Sequence, residues 1–232
     1  MNNKWPKTPF LLTEEQKSIR DDFMKYWHEI LPVKYNAIEE FNHGFPAKRA
    51  TQGLTLEIGA GIGEHLKFED LSNQKYFALE LRKEMADVIR QRFPNVTVIT
   101  GDCQQRMPFE DGSLDRVIAV HVLEHLPNLP VTIAEVRRIL KDSGTFQICI
   151  PCEGGIAYGF ARKISAERLF KKRYKMKYDW LIKSEHVNVP REIMFELDQH
   201  FTIVGQQYFP CRVPSTNLNL VIGLELHPRP QR

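Results

Sequence analysis

LEIGAGIGEH, running from Leu56 to His65, closes a short apolar run with glycines at alternate positions 59, 61 and 63. An apolar run that ends in glycines and passes into a helical pattern is a strand-to-helix turn. Glycine lets such a turn take a left-handed backbone and lets the main chain approach a ligand closely, with helix N-terminal amides facing it. A carboxylate, Glu57, stands at the end of the strand.

Working outward, GLTLEI is followed by YFALEL, VTVIT, DRVIAV and TFQICI. Helical patterns lie between them: Met85, Val88, Ile89 and Phe93 before Pro94, and Ile133, Val136, Ile139 and Leu140 before Gly144. Short β-rich runs alternating with helices predict a parallel sheet covered on both faces. FTIVGQQYF and LNLVIGLEL add two strands near the C-terminus, linked through Val213-Pro214. The fold class expected is α/β, a doubly wound, mostly parallel seven-stranded sheet.

Two ligands suit the glycine turn, a dinucleotide and S-adenosylmethionine. The dinucleotide fingerprint G-x-G-x-x-G started at Gly59 requires glycine at position 64, where Glu64 stands. A carboxylate beside a pyrophosphate is electrostatically poor, whereas a sulfonium and an ammonium tolerate one. Glu80, ending the second strand about twenty residues on, can accept hydrogen bonds from ribose hydroxyls of either ligand. A nicotinamide-dependent oxidoreductase would share the sheet and Glu80, and the glycine spacing argues against it.

The third strand leads into TGDCQQRMPFEDGSLDRVIAVHVLEHL, residues 100–126. With these motifs in order, residues 53 to 151 resemble the class I S-adenosylmethionine-dependent methyltransferases, most closely the type 11 group. The resemblance implies a Rossmann-like fold and S-adenosyl-L-methionine as cofactor. It places Asp102 at the adenine amino group, the Cys103 amide at the adenine ring, and His121 at the methionine end. Gly59, Gly61 and Glu80 would contact the cofactor, with Glu57 and Gly63 shaping the loop.

HVLEH, His121 to His125, also spells H-x-x-E-H, an inverted zinc-protease signature. That chemistry needs both histidines on one helix face, and here the segment follows directly on a strand. No metal ligand is assigned. Methyl transfer is an in-line displacement in which the protein positions the acceptor, and a hydroxyl acceptor gains from a general base. His121, Glu124, His125 and His186 lie near strand ends. His121 and His186 are the catalytic candidates, the latter because it precedes a helix start facing the strand C-termini. For each, a capping or hydrogen-bonded structural role is the alternative.

Residues 1–50 read as an N-terminal helical cap, and residues 51–232 as the domain itself. Thr13 and Gln16 form a capping box, and Ile19, Phe23, Trp27 and Ile30 recur at helical spacing until Pro32. A second helix around Ile38 and Phe41 is expected to end at His43-Gly44. Residues 152–187 read as a helical insertion, and the resemblance implies that it forms, with the N-terminal helices, a lid over a small-molecule or carrier-linked acceptor such as a sugar, a lipid-linked compound or another anionic metabolite. Its run Lys171, Lys172, Arg173, Lys175, Lys177 interleaves with Tyr174, Met176, Tyr178 and Trp180. An anionic carrier or membrane surface, RNA, or solvent alone over buried aromatics could each face that run. An RNA-modifying enzyme and a non-catalytic cofactor-binding subunit are the other functional readings.

The 232 residues are 42% hydrophobic and 26% charged, which excludes a disordered chain. A net charge of +3 is too small to argue for DNA. Cys103, Cys149, Cys152 and Cys211 do not form a disulfide framework, and the C-x-x-C pair lies on a strand, which points its members to opposite faces. MNNKWPKTPFLL carries no signal-peptide pattern, so the expected compartment is the cytoplasm.

Overall fold

The computed structural model describes residues 5–8, 10–50 and 52–230; the outermost residues of the expected cap and the last two of the chain lie outside the described residues. Seven strands form one sheet: β1 (Gly53–Ile58), β2 (Gln74–Glu80), β3 (Thr97–Thr100), β4 (Leu114–Val120), β5 (Leu140–Pro151), β6 (Phe201–Phe209) and β7 (Val221–Pro228). Their order is β3-β2-β1-β4-β5-β7-β6, and β7 runs antiparallel to both its neighbours while the other pairings are parallel. The chain winds outward from β1 through β2 to β3, then returns to β4 on the other side of β1. That reversal opens a crevice at the carboxyl ends of β1 and β4, where ligands bind in such sheets.

The central strands are buried on both faces, which explains why they read as continuous apolar runs. Val117, Ile118 and Ala119 of β4 and Phe146, Ile148, Cys149 and Ile150 of β5 are fully buried. Helices α3 (Lys83–Arg92), α4 (Leu129–Ile139) and α8 (Pro190–His200) cover them, burying Ala86 and Ile89, then Ile133 and Val136, then Ile193 and Leu197.

N-terminal helices α1 (Glu14–Lys34) and α2 (Asn36–Ala47) precede the sheet. The capping box forms: the Thr13 N–H donates to Gln16 Oε1 at 3.0 Å and the Gln16 N–H to Thr13 Oγ1 at 3.2 Å. Both expected helix ends are corrected. The first helix continues past Pro32 to Lys34, because a proline so near the terminus costs one backbone hydrogen bond without breaking the turns before it. The second passes Gly44 and reaches Ala47, held by Phe45, which is buried against the sheet where Gly223 has no side chain. A Cβ at Gly223 would meet the Phe45 ring at 2.7 Å. Packing here overrides the local stop signal.

The stretch after β5 folds into α5 (Ile156–Ile164), α6 (Ala166–Tyr174) and α7 (Asp179–Glu185). Phe170 of α6 stands edge-on to Phe23 of α1 at 5.1 Å, and Tyr178 and Leu181 complete this cluster. Phe170 and Tyr178 are buried, with Tyr174, Met176 and Trp180 packed partly against them; Lys171, Lys172, Arg173, Lys175 and Lys177 are exposed. Cys103, Cys149, Cys152 and Cys211 are all free thiols.

Candidate cofactor and acceptor site

After β1 the chain turns on Gly59 (φ 66°), Gly61 (φ 57°) and Gly63 (φ 84°), all in the left-handed region. The Gly59 and Ala60 amides donate to the Leu79 carbonyl at 2.8 and 3.1 Å, tying the turn to the end of β2. There the Glu80 carboxylate, nearly fully buried, accepts from the Gly61 N–H at 2.9 Å and from the Arg82 N–H and Nε at 3.0 and 3.1 Å. A Cβ on Gly59 would strike Val122 at 2.6 Å, so that glycine serves internal packing. One on Gly61 would meet only Glu64 Oε2 at 3.3 Å.

The Gly101 N–H donates to the Glu80 carbonyl, which brings the end of β3 alongside. Asp102 Oδ1 accepts from the Gln104 N–H at 2.8 Å, and Gln104 Oε1 accepts from the Asn128 N–H at 2.8 Å. Gln104 thereby joins the loop after β3 to the loop preceding α4. Cys103 is buried, and burial pushes its thiol up to about 12. Glu57 lies on the sheet face shared with Tyr76 and accepts its hydroxyl at 3.0 Å; burial raises its carboxyl to about 8.

His121 follows β4 with φ 53°, its N–H donating to the Cys149 carbonyl at 2.9 Å. Its Nδ1 donates to Glu124 Oε1 at 3.0 Å. Burial raises Glu124, but the His121 hydrogen bond and the charges of His121, His125 and His186 outweigh it and hold the carboxyl at about 2. His125 and His186 stand edge to face with ring centroids 5.1 Å apart. His125 Nδ1 lies 2.6 Å from the Glu185 carbonyl, and His186 Nδ1 lies 3.0 Å from Glu153 Oε2. Glu153 is in turn gripped by Arg162 at 2.5 Å. Asn188, fully buried, fastens the two segments: its side-chain amide donates to the Leu123 and Leu126 carbonyls at 2.7 and 2.8 Å. The Val187 and Asn188 amides both donate to the Glu124 carbonyl. SEHVN is thus stitched onto VLEHL.

Residues 56–148 match the family model described as a methyltransferase domain. A probable S-adenosylmethionine-dependent methyltransferase from Mycobacterium tuberculosis is 27% identical over 146 residues, covering 62% of this chain and 50% of that protein. The sterol 4-C-methyltransferase of Caenorhabditis elegans is 31% identical over 97 residues, covering 39% of this chain and 29% of that protein. A crystal structure of a Pyrococcus horikoshii protein superposes with a TM-score of 0.64 at 18% identity, covering 88% of this chain and 99% of that one. The matched residues run from β1 into β5, so the stretch that is similar to methyltransferase domains is the part of the sheet that holds the glycine turn and Glu80. The matched stretch spans half or less of those two curated relatives, so what the whole protein acts on is a separate question.

The methyltransferase domain implies S-adenosyl-L-methionine as methyl donor, and the residues at the glycine turn fit it. Glu80 presents a desolvated carboxylate beside a turn whose Gly61 leaves the backbone open, the pairing a ribose diol requires. Of the residues expected from the sequence, Gly61 and Glu80 meet directly and Gly59 bonds to the neighbouring Leu79 carbonyl, with Asp102 and Cys103 just past the end of β3 and His121 just past the end of β4. Gly63 supports the turn from below, where a Cβ would meet the Phe93 ring at 2.8 Å. Glu57 accepts the Tyr76 hydroxyl within the sheet. His121 and His186 do not touch each other through any hydrogen bond; Glu124 and His125 stand between them. Sequence reasoning missed Gln104, Glu153 and Asn188. Asn188 precedes a helix-starting Val-Pro, and its partners, the Leu123 and Leu126 carbonyls, are more than sixty residues away in sequence.

Proposed function

We propose that the protein transfers a methyl group from S-adenosylmethionine to an oxygen of an acceptor carried on an apolar, anionic carrier such as a lipid-linked sugar. The observation carrying the methyl-transfer reading is the Glu80 carboxylate held against the Gly61 amide in an open left-handed turn. When bound, the cofactor supplies an activated methyl carbon on a sulfonium. Glu80 would hold its ribose, and Asp102 its adenine amino group. His121, whose Nδ1–H is committed to Glu124, keeps Nε2 to take the acceptor proton as the oxygen–carbon bond forms and the carbon–sulfur bond breaks. The helices after β5 would exclude water from this end of the sheet.

The carrier reading rests on α5 and α6. Ile156, Phe160 and Ile164 recur at four-residue spacing along α5 and are 76%, 65% and 57% exposed, an apolar stripe with no covering partner among the described residues. Lys163 adjoins it, and Lys171, Lys172, Lys175 and Lys177 follow on exposed positions. Apolar side chains bordered by lysines suit an anionic lipid surface. The C. elegans relative, named for a sterol, sets a precedent for an apolar acceptor in the family. The test measures S-adenosylhomocysteine release with lipid-linked sugar phosphates in anionic vesicles and with their water-soluble counterparts. Preference for the vesicle-borne acceptor, lost in Phe160→Asp with S-adenosylmethionine affinity kept, supports the reading. Equal turnover of soluble acceptors by both proteins contradicts it.

A further inference from the structure

Glu124, His125 and His186 lie together at the end of the segment that follows β4. One ligand atom of each, a carboxylate oxygen and two ring nitrogens, lies within 4.8 Å of the other two. Glu124 is 1% exposed, and its Oε2 is buried with no hydrogen-bond partner. A carbonyl can only accept, so His125 Nδ1 carries the proton toward Glu185 and its Nε2 is a bare lone pair, 4.0 Å from Glu124 Oε1. The Glu153 carboxylate imposes the same tautomer on His186, and Arg162 fixes Glu153. Each imidazole thus gives its Nδ1–H to an oxygen and leaves its Nε2 lone pair uncommitted, the kind of second partner that fixes a histidine tautomer for a metal. A cation among these ligand atoms would satisfy the buried Glu124 oxygen that has no hydrogen-bond partner.

We propose that Glu124, His125 and His186 form a binding site for a first-row divalent transition cation, such as Zn²⁺, Mn²⁺ or Co²⁺. Two imidazoles and one carboxylate are the donor set those ions take, and three protein ligands leave positions open. Bond lengths near 2.0–2.2 Å set neighbouring ligand atoms about 3.3 Å apart, so binding draws the three in by no more than about 1.5 Å. The backbone around them is already stitched by Asn188. The site lies just beyond His121, after the end of β4. Resting on the methyl-transfer reading for its role, the cation would bind the acceptor oxygen and lower the pKa of its hydroxyl. Glu124 and His125 come from HVLEH, and the third ligand, His186, lies far along the chain.

The experiment uses the full chain, untagged and treated with chelator, in a Cys211→Ser background so that the exposed thiol contributes nothing. Co²⁺ is titrated by calorimetry and visible absorption, then displaced with Zn²⁺. The expected result is one Co²⁺ per chain with a nitrogen- and oxygen-ligand spectrum. Glu124→Gln, which keeps its hydrogen bond with His121, and His186→Gln should each weaken binding by tenfold or more while circular dichroism stays native. No saturable one-to-one binding, or equal affinity in parent and both variants, overturns the site. S-adenosylmethionine binding to the parent is measured separately: its loss beside intact Co²⁺ binding sinks the methyl-transfer reading alone, and the reverse outcome sinks the cation site alone.

Discussion

Replacing Arg116 with methionine tests the physical account of the fold most severely. Arg116 sits on β4 with no exposed side-chain surface. Its Nη1 and Nη2 grip Glu69 at 2.9 Å each, Nε donates to Gln147 Oε1 at 2.8 Å, and Nη2 also donates to the Pro46 carbonyl at 2.8 Å. One side chain therefore joins β4, β5, α2 and the segment before β2. Burial pushes Glu69 up, but bonds from His65 and Arg116 outweigh it and hold the carboxyl at about 2. Arg116→Met takes the guanidinium away from that carboxylate and leaves it to His65 and the Gln74 amide, and breaking a buried pair in this way costs about 3–5 kcal/mol. At roughly 2–4 °C per kcal/mol for a chain of this length, the melting temperature should fall by about 6–20 °C. Arg116→Met/Glu69→Met, which removes both charges, should recover most of that loss. The pH dependence has a definite sign. Glu69 is more acidic folded than unfolded, so its contribution is complete above pH 4.5 and disappears as pH falls toward 2. The gap between wild type and Arg116→Met should narrow over that window. Calorimetric melts at pH 7 and pH 3.5 measure all of this. A single variant melting within 2 °C of wild type, or a double variant no better than the single, would refute the reasoning.

Three further outcomes follow from the same structure. Glu57 behaves oppositely to Glu69: raised to about 8, it is protonated in the fold and increasingly ionised in the unfolded chain above pH 4.5. Stability should decline by about 3–5 kcal/mol between pH 4.5 and 8, and Glu57→Gln should flatten that slope relative to wild type in denaturant titrations. Gly59→Ala should lower the melting temperature through its clash with Val122, whereas Gly61→Ala should cost only about 1 kcal/mol of left-handed strain while weakening cofactor binding. Cys103, Cys149 and Cys152 are buried and Cys211 is exposed, so a thiol reagent should titrate one cysteine in the native protein and four in denaturant.

Much of this was legible in the sequence because it is local. The glycine turn, the carboxylate ending β2 and the apolar strands each declare themselves within ten residues, and the alternation of strands and helices specifies the sheet. What escaped depends on distant partners. Gly44 looks like a helix stop until Phe45 is seen filling the gap at Gly223. Arg116 looks like an ordinary strand charge, and its principal partner is 47 residues away. The basic run of α6 was readable as charge, but its aromatic neighbours turn inward onto α1, which periodicity alone leaves open. His125 and His186 come together only because a buried asparagine docks one loop on another.

The most direct test of the central claim is calorimetric titration of S-adenosylmethionine and S-adenosylhomocysteine into the wild-type chain, Glu80→Gln and Glu80→Ala, with NAD as control. Glu80 is assigned the ribose hydroxyls, so its loss should weaken both sulfur ligands by roughly 10–100-fold, about 1.4–2.8 kcal/mol. Glu80→Gln, keeping one acceptor oxygen for the Gly61 amide, should melt near wild type and fall between. The account predicts one site per chain for both sulfur ligands and no heat with NAD. Binding of NAD alone, or unchanged affinity in both variants, would contradict it.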